Sequence, residues 1–214
     1  MSGAEIGMFV VLLLLAVALF FRDLYRLFAL MCLGRWENRF DRLWARLRSA
    51  LVDGFGQRRV MAEKFGINHV LIFWGFLVLL LINAEFVLAG VFPRFSLSFL
   101  GSVLYPALLL AADCMSLVVL AAVIIAVLRR AVFRPAYIDP TLDAFIILGL
   151  IATLMIAYFG LNACEIRLGE RMDEAPWMPV SRLLSQLAAP YTPAQLHVAA
   201  RVFWWIHALV LLFF

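Results

Sequence analysis

Hydrophobic positions run almost unbroken for about twenty residues or more in five places along the chain, with polar stretches between them. These runs lie at about 5–32, 68–90, 101–128, 142–165 and 194–214. At a rise of 1.5 Å per residue, a helix of about 20 residues crosses roughly 30 Å of hydrocarbon. The pattern predicts an all-α integral membrane fold, a five-helix transmembrane bundle forming a single domain over 1–214. The first run has the length of a signal peptide, but Glu5 precedes it without any Lys or Arg. Arg22, Asp23 and Arg26 then follow without a small-residue cleavage site, so it reads as a retained helix. No internal repeat is visible, which leaves a transporter built from inverted halves little support.

Composition sharpens this picture. The chain is 66% hydrophobic and 15% charged, with a mean hydropathy of +1.01. These values exclude a soluble domain, a disordered chain and a disulfide-built scaffold. The net charge of +4 matters less than where the positives fall. Ten Lys and Arg lie between Arg22 and Lys64, and Arg129, Arg130 and Arg134 bring the two connections to thirteen. The other two connections hold four: Arg94, Arg167, Arg171 and Arg182. This asymmetry predicts the amino terminus outside and the end of helix five inside. The positives therefore face membrane headgroups, and no nucleic-acid partner is expected.

The long inner connection carries Trp36, Phe40, Leu43, Trp44, Leu47 and Leu51 at helical spacing. Arg35, Arg39, Arg42, Arg46 and Arg48 fall largely elsewhere. That predicts an amphipathic interfacial helix over about 36–52, lying among anionic lipids as a strut or as a docking surface for a cytoplasmic electron-transfer partner. Thr192-Pro193-Ala194-Gln195 combines an N-cap, Pro at the first helical position and a capping-box Gln. Asp139-Pro140 is read as a similar start for helix four. The connection 166–193 contains a short apolar stretch from Val180 to Ala189 that is expected to lie flat on the membrane. Cys32, Cys114 and Cys164 are isolated, without a C-x-x-C, so neither a zinc site nor an iron–sulfur cluster is expected here.

Three histidines remain, all on predicted helices: His69 opens helix two, and His197 and His207 lie on helix five. A buried imidazole needs a partner, either a backbone carbonyl or a metal such as haem iron. The rise per residue puts His69 and His207 about 13 Å apart in depth, a poor pair for one iron with Fe–N bonds of about 2 Å.

The segments Asp53-Gly-Phe-Gly-Gln-Arg-Arg59, Gly66-Ile-Asn-His-Val-Leu-Ile-Phe-Trp-Gly-Phe76, Phe133-Arg-Pro135 and Trp204-Trp-Ile-His207 carry a resemblance. They resemble the membrane domain of heterodisulfide-reductase-related iron–sulfur oxidoreductases, which is similar to the nitrate reductase gamma subunit, a di-haem cytochrome b. The resemblance covers essentially the whole chain. It implies one or two b haems, with His69 as the inner-haem ligand of helix two and His207 as the outer-haem ligand of helix five. His197 is a further candidate cofactor ligand, and Arg201 a candidate partner of a haem propionate or of Trp204 or Trp205. The family pattern has a second helix-two histidine where this chain has Leu79, and a Pro-Tyr-Ser-Lys-like stretch after helix five that these residues lack. The chain is accordingly expected to be part of a longer polypeptide. The resemblance further implies a bacterial cytoplasmic membrane, menaquinone as substrate, and an iron–sulfur domain or subunit on the cytoplasmic side, with electron-transfer flavoprotein as a further partner.

Among other intramembrane polar groups, Asp113 sits near the middle of helix three. Such a carboxylate costs about 2.5–3.5 kcal/mol on insertion scales and is either functional or a hydrogen-bonded clamp. Asn83 and Glu85 near the outer end of helix two, with Asn162 and Glu165 near the outer end of helix four, make a second polar group. Asp113, Glu85 and Asn83 are candidates for quinone binding or proton transfer. The expected function is membrane electron transfer through b-type haem between an iron–sulfur or flavoprotein partner and menaquinone. The alternatives are a haem-free anchor that binds quinone and, with less support, a small transporter.

Overall fold

The computed structural model describes residues 2–35, 37–38, 40–63, 66–133 and 141–214. Among these residues every regular element is helical: α1 (Gly3–Cys32), α2 (Leu43–Ser49), α3 (Arg58–Met61), α4 (Gly66–Val91), α5 (Gly101–Leu128), α6 (Leu142–Leu168), α7 (Pro179–Ser185) and α8 (Pro193–Phe213). Five helical stretches are long and apolar enough to cross a membrane: Gly3–Cys32, Gly66–Val91, Leu97–Phe133, Leu142–Leu168 and Pro193–Phe213. Each matches one of the five apolar runs. Run length decides the element here, because backbone groups in hydrocarbon have to bond within their own helix.

The chain divides into two compact units, 1–70 and 71–214. In the first, Ser2 caps α1, and its hydroxyl accepts from the Glu5 amide while the Glu5 carboxylate accepts from the Ser2 amide, a reciprocal capping box. The interfacial segment is shorter than its pattern suggests. Helix begins at Leu43, preceded by Arg42 at φ 51°, and passes into a π-helical turn over Ala50–Phe55. The Arg46 guanidinium reaches back to the Asp41 carbonyl at 3.0 Å and to its carboxylate at 2.8 Å, tying the residues ahead of α2 into a turn. Phe40, Trp44, Leu47 and Leu51 are all exposed. Trp36 and Arg39, also read as part of that helix, lie outside the described residues.

In the second unit, α6 packs against α8, α7 and α5. One core cluster joins Leu79 of α4 to Ala112, Val119, Val123 and Ala126 of α5 and Leu148 and Met155 of α6. Two glycines let these helices approach. A Cβ on Gly75 would stand 2.2 Å from Val119 Cγ2, and one on Gly160 would stand 2.6 Å from the Phe203 ring. Small residues serve helix packing in membranes in this way, because close van der Waals contact replaces the missing hydrophobic drive. Thr192 and Gln195 form the reciprocal box at the start of α8 that their spacing predicts. The cap of α6 is Thr141, whose hydroxyl accepts from the Ala144 amide. Asp139 and Pro140 lie outside the described residues.

The stretch Val180–Ala189 starts inside a packed helix. Met178 and Ser181 are fully buried at the start of α7, which lies against α5 and α6. What holds it is Asp113. The Asp113 carboxylate accepts the Val180 amide at 2.6 Å, the Ser181 amide at 3.2 Å and the Ser181 hydroxyl at 2.5 Å. No side chain within α7 caps its start, so a residue 67 positions earlier supplies the cap.

Candidate functional site

Where α4 and α6 end and α5 begins, a cavity of about 280 Å³ opens between α4, α5, α6, α8 and the connection after α6. Its polar wall has two parts. On one side a single oxygen of Glu85, Oε1, accepts the Ser96 hydroxyl at 2.9 Å, the Leu97 amide at 2.7 Å and the Tyr105 hydroxyl at 3.3 Å. Oε2 makes no hydrogen bond to the described residues. On the other side Arg171 gathers Glu174, Glu165 and Asn162. Its Nε lies 2.5 Å from Glu174 Oε2, its Nη1 lies 3.6 Å from Glu165 Oε2, and Nη1 also donates to Asn162 Oδ1. Asn162 in turn donates to the Tyr158 carbonyl on its own helix. Burial acts to lower the pKa of the Arg171 guanidinium, but Glu174 and Glu165 outweigh it and hold the group above its ordinary value.

The Tyr105 hydroxyl joins the two parts. It stands 3.3 Å from Glu85 and 3.4 Å from Glu174 Oε1, and Tyr105 itself is buried. Deeper in the cavity the lining turns aromatic. Phe86 lies 5.1 Å from Trp204 and 4.5 Å from His207, ring centre to ring centre. The Tyr158 hydroxyl, also lining the cavity, is buried without a hydrogen bond to the described residues. The site therefore has an acidic mouth around one guanidinium and an aromatic floor. Such a shape receives a flat ring with polar atoms on its edge.

The site brings together Glu85 from helix two and Asn162 with Glu165 from helix four, three of the four residues that the sequence grouped as one polar rim. It adds Tyr105, Arg171 and Glu174, which the sequence reading missed. The Arg171-x-x-Glu174 spacing was the available signal, but a charge pair in a connection is ordinarily a solvated one. Asn83 does not line the cavity; its Oδ1 lies 3.0 Å from His207 Nε2. Asp113 is engaged by α7 and likewise lies outside the lining. His197 is exposed, 3.8 Å from Glu170, and Arg201 is partly exposed and not among the lining residues. His69, in the first unit, is exposed.

A haem on His207 does not fit the second unit as its side chains stand. Nε2 faces Asn83, and Nδ1 is buried, with the Leu154 backbone as the polar group near it and no well-formed hydrogen bond. His197 lies ten residues away on the same helix, about 15 Å along its axis, too far for one iron. Leu79, where the resemblance would place a second helix-two histidine, is 5% exposed and packed into the apolar core. No cluster of three or more His, Cys, Asp or Glu suited to a metal occurs among the described residues.

Fold and site together define a multi-pass helical membrane protein with an open, acid-rimmed cavity among its helices. Among characterised proteins the chain is similar to the probable iron-sulfur-binding oxidoreductase FadF of Bacillus subtilis strain 168, with 29% identity over 221 residues. The similarity covers all of this chain and 30% of FadF, so the chain spans less than a third of that protein's length. No family model matches the chain. No solved structure matches it.

Proposed function

We propose that this chain is the membrane portion of a quinone-linked iron–sulfur oxidoreductase, and that the cavity of α4, α5, α6 and α8 holds the quinone ring. The observation that carries this is the pairing of a Phe86–Trp204 floor with a mouth of Glu85, Tyr105, Glu174 and Arg171. Quinone has the same division, an apolar ring with hydrogen-bonding oxygens on its edge. A volume of about 280 Å³ is near the lower end for small-molecule pockets and suits one or two fused rings. The likeness to FadF, whose name states iron–sulfur binding, supports an electron-carrying role. The positive-inside asymmetry supports a reading with the Arg-rich segment 22–64 on the cytoplasmic side, where an iron–sulfur partner or electron-transfer flavoprotein would dock, and the cavity towards the outer side of a bacterial cytoplasmic membrane. Menaquinone is the substrate this reading assigns.

The exposed imidazole of His69 is the group in this chain best placed to ligate a b haem, which supplies one-electron transfer when bound. In the reading's other form, a haem-free quinone-binding anchor, His207 and Asn83 simply tie α8 to α4, and their 3.0 Å contact is what favours it.

Two measurements test the proposal. An azido-naphthoquinone photolabel is expected on the α4 and α8 peptides containing Phe86 and Trp204, and excess menadione is expected to prevent it. Labelling confined to other helices would overturn the site. A reduced-minus-oxidised spectrum of the isolated complex is expected to show b haem that disappears in His69→Ala and survives in His207→Ala. Absence of haem from the wild type leaves the anchor form, and loss in His207→Ala alone would reverse the ligand assignment.

A further inference from the structure

Three carboxylates, Glu85, Glu165 and Glu174, surround the cavity with one guanidinium, Arg171, to balance them. His207, Tyr105 and Tyr158 are the other titratable groups of the lining. Arg171 is committed to Glu165 and Glu174, so Glu85 stands apart from it. Glu85 is fixed instead by neutral donors, all on Oε1, with Oε2 left for the cavity. Among the described residues, Tyr105 is the side chain hydrogen-bonded to both Glu85 and the Arg171 cluster, within 3.4 Å of each carboxylate. Glu174 beyond it is 30% exposed and belongs to the connection after α6, where water reaches it.

We propose that Glu85, Tyr105 and Glu174 form a proton relay between the cavity and the aqueous side of the connection after α6. The proposal rests on the quinone reading and assigns residues to its proton step. Reduction of one quinone takes two electrons, supplied by the iron–sulfur partner, and two protons. The Glu85 carboxylic acid gives its proton to a quinone oxygen. The Tyr105 hydroxyl then passes its proton to Glu85 Oε1 while its oxygen takes one that water has delivered to the Glu174 carboxylate, which returns to its ion pair with Arg171. Each pass forms one quinol O–H bond; a turn of the Glu85 carboxyl group and of the Tyr105 hydroxyl then restores the starting arrangement, and a second pass completes the quinol. Quinol oxidation runs the same steps in reverse. Arg171 positions Glu174 against Tyr105 and carries no proton itself.

The test uses the complex isolated with its iron–sulfur partner and follows the bleaching of the iron–sulfur absorbance after rapid mixing with menadiol. Tyr105→Phe keeps the ring and removes the hydroxyl. It is expected to slow bleaching at least tenfold at saturating menadiol, to leave the half-saturating menadiol concentration within twofold, and to leave the photolabelling intact. Glu174→Gln is expected to slow it similarly. The double variant should be no slower than the slower single one, because the two act in one chain. Wild-type rate in Tyr105→Phe, or additive losses in the double variant, would overturn the relay while leaving the quinone site in place. If menadiol fails to reduce the wild-type centres, the quinone reading itself falls, and the relay with it.

Discussion

Replacing Arg171 by Met is expected to lower stability by about 3 kcal/mol, among the largest losses available to a single substitution in this chain. Met keeps much of the side-chain volume but removes the guanidinium that pairs with Glu165 and Glu174, whose side chains are 25% and 30% exposed. Two carboxylates would then share a partly desolvated site without a counter-charge, and Asn162 Oδ1 would lose its donor. Breaking a buried pair costs about 3–5 kcal/mol, and the remaining access to water places this case at the lower end. The thermal midpoint in detergent should fall by roughly 6–12 °C for a chain of this size. The sign of the pH dependence follows from the same charges. Repulsion between the bare carboxylates is complete at neutral and alkaline pH, and it fades when acid protonates one of them. The gap between variant and wild type should therefore narrow as the pH is lowered. Arg171→Lys restores the charge without the two-sided fork, and it should recover only part of the loss. A midpoint for Arg171→Met within 2 °C of wild type would mean that the cluster is solvated and contributes little.

The spans were legible because a membrane imposes one simple rule, an apolar run long enough to cross, and each of the five runs obeys it. Thr192 and Gln195 were legible for a similar reason, since a reciprocal cap needs two residue types three positions apart. The site was legible only in part. Glu85, Asn162 and Glu165 announced themselves as polar groups inside apolar helices, which insertion energetics makes conspicuous. Their shared outer end grouped them, but the cavity between them depends on how α4 and α6 turn about their axes, and continuous apolar runs carry no period that fixes such a rotation. Arg171 and Glu174 were hidden because the connection after α6 reads as solvated. The interfacial helix was read as starting too early, because helical spacing of aromatics registers a face and not a beginning; the Asp41–Arg46 contact sets the start of α2. Asn83 and His207 are 124 residues apart, and no local pattern links them.

Asp113 illustrates the same limit most plainly, and it carries the second large effect. Its position in the middle of an apolar helix marked it as a group with a purpose, but its partners are chiefly backbone amides, which leave no trace in the side-chain pattern. Asp113→Ala would leave the Val180 amide, the Ser181 amide and the Ser181 hydroxyl without an acceptor in a region where Ser181 and Met178 are fully buried. An unsatisfied buried donor costs about 1–3 kcal/mol, although hydrogen bonds within membrane proteins average nearer 0.6 kcal/mol because the disrupted state finds other partners. Three donors together give about 2–4 kcal/mol, and α7 should loosen from α5 and α6 before the bundle melts. Hydrogen exchange at the Val180 and Ser181 amides is therefore the sensitive measurement, with a rise of at least tenfold expected in Asp113→Ala. Asp113→Asn separates acceptor from charge. Its one carbonyl oxygen can still take an amide, while its NH2 faces donors, so about half the loss should remain. Equal effects from Asn and Ala would make the negative charge the essential property. Unchanged exchange in Asp113→Ala would show that the carboxylate does not hold α7, and would leave this intramembrane charge free for the proton chemistry that its depth first suggested.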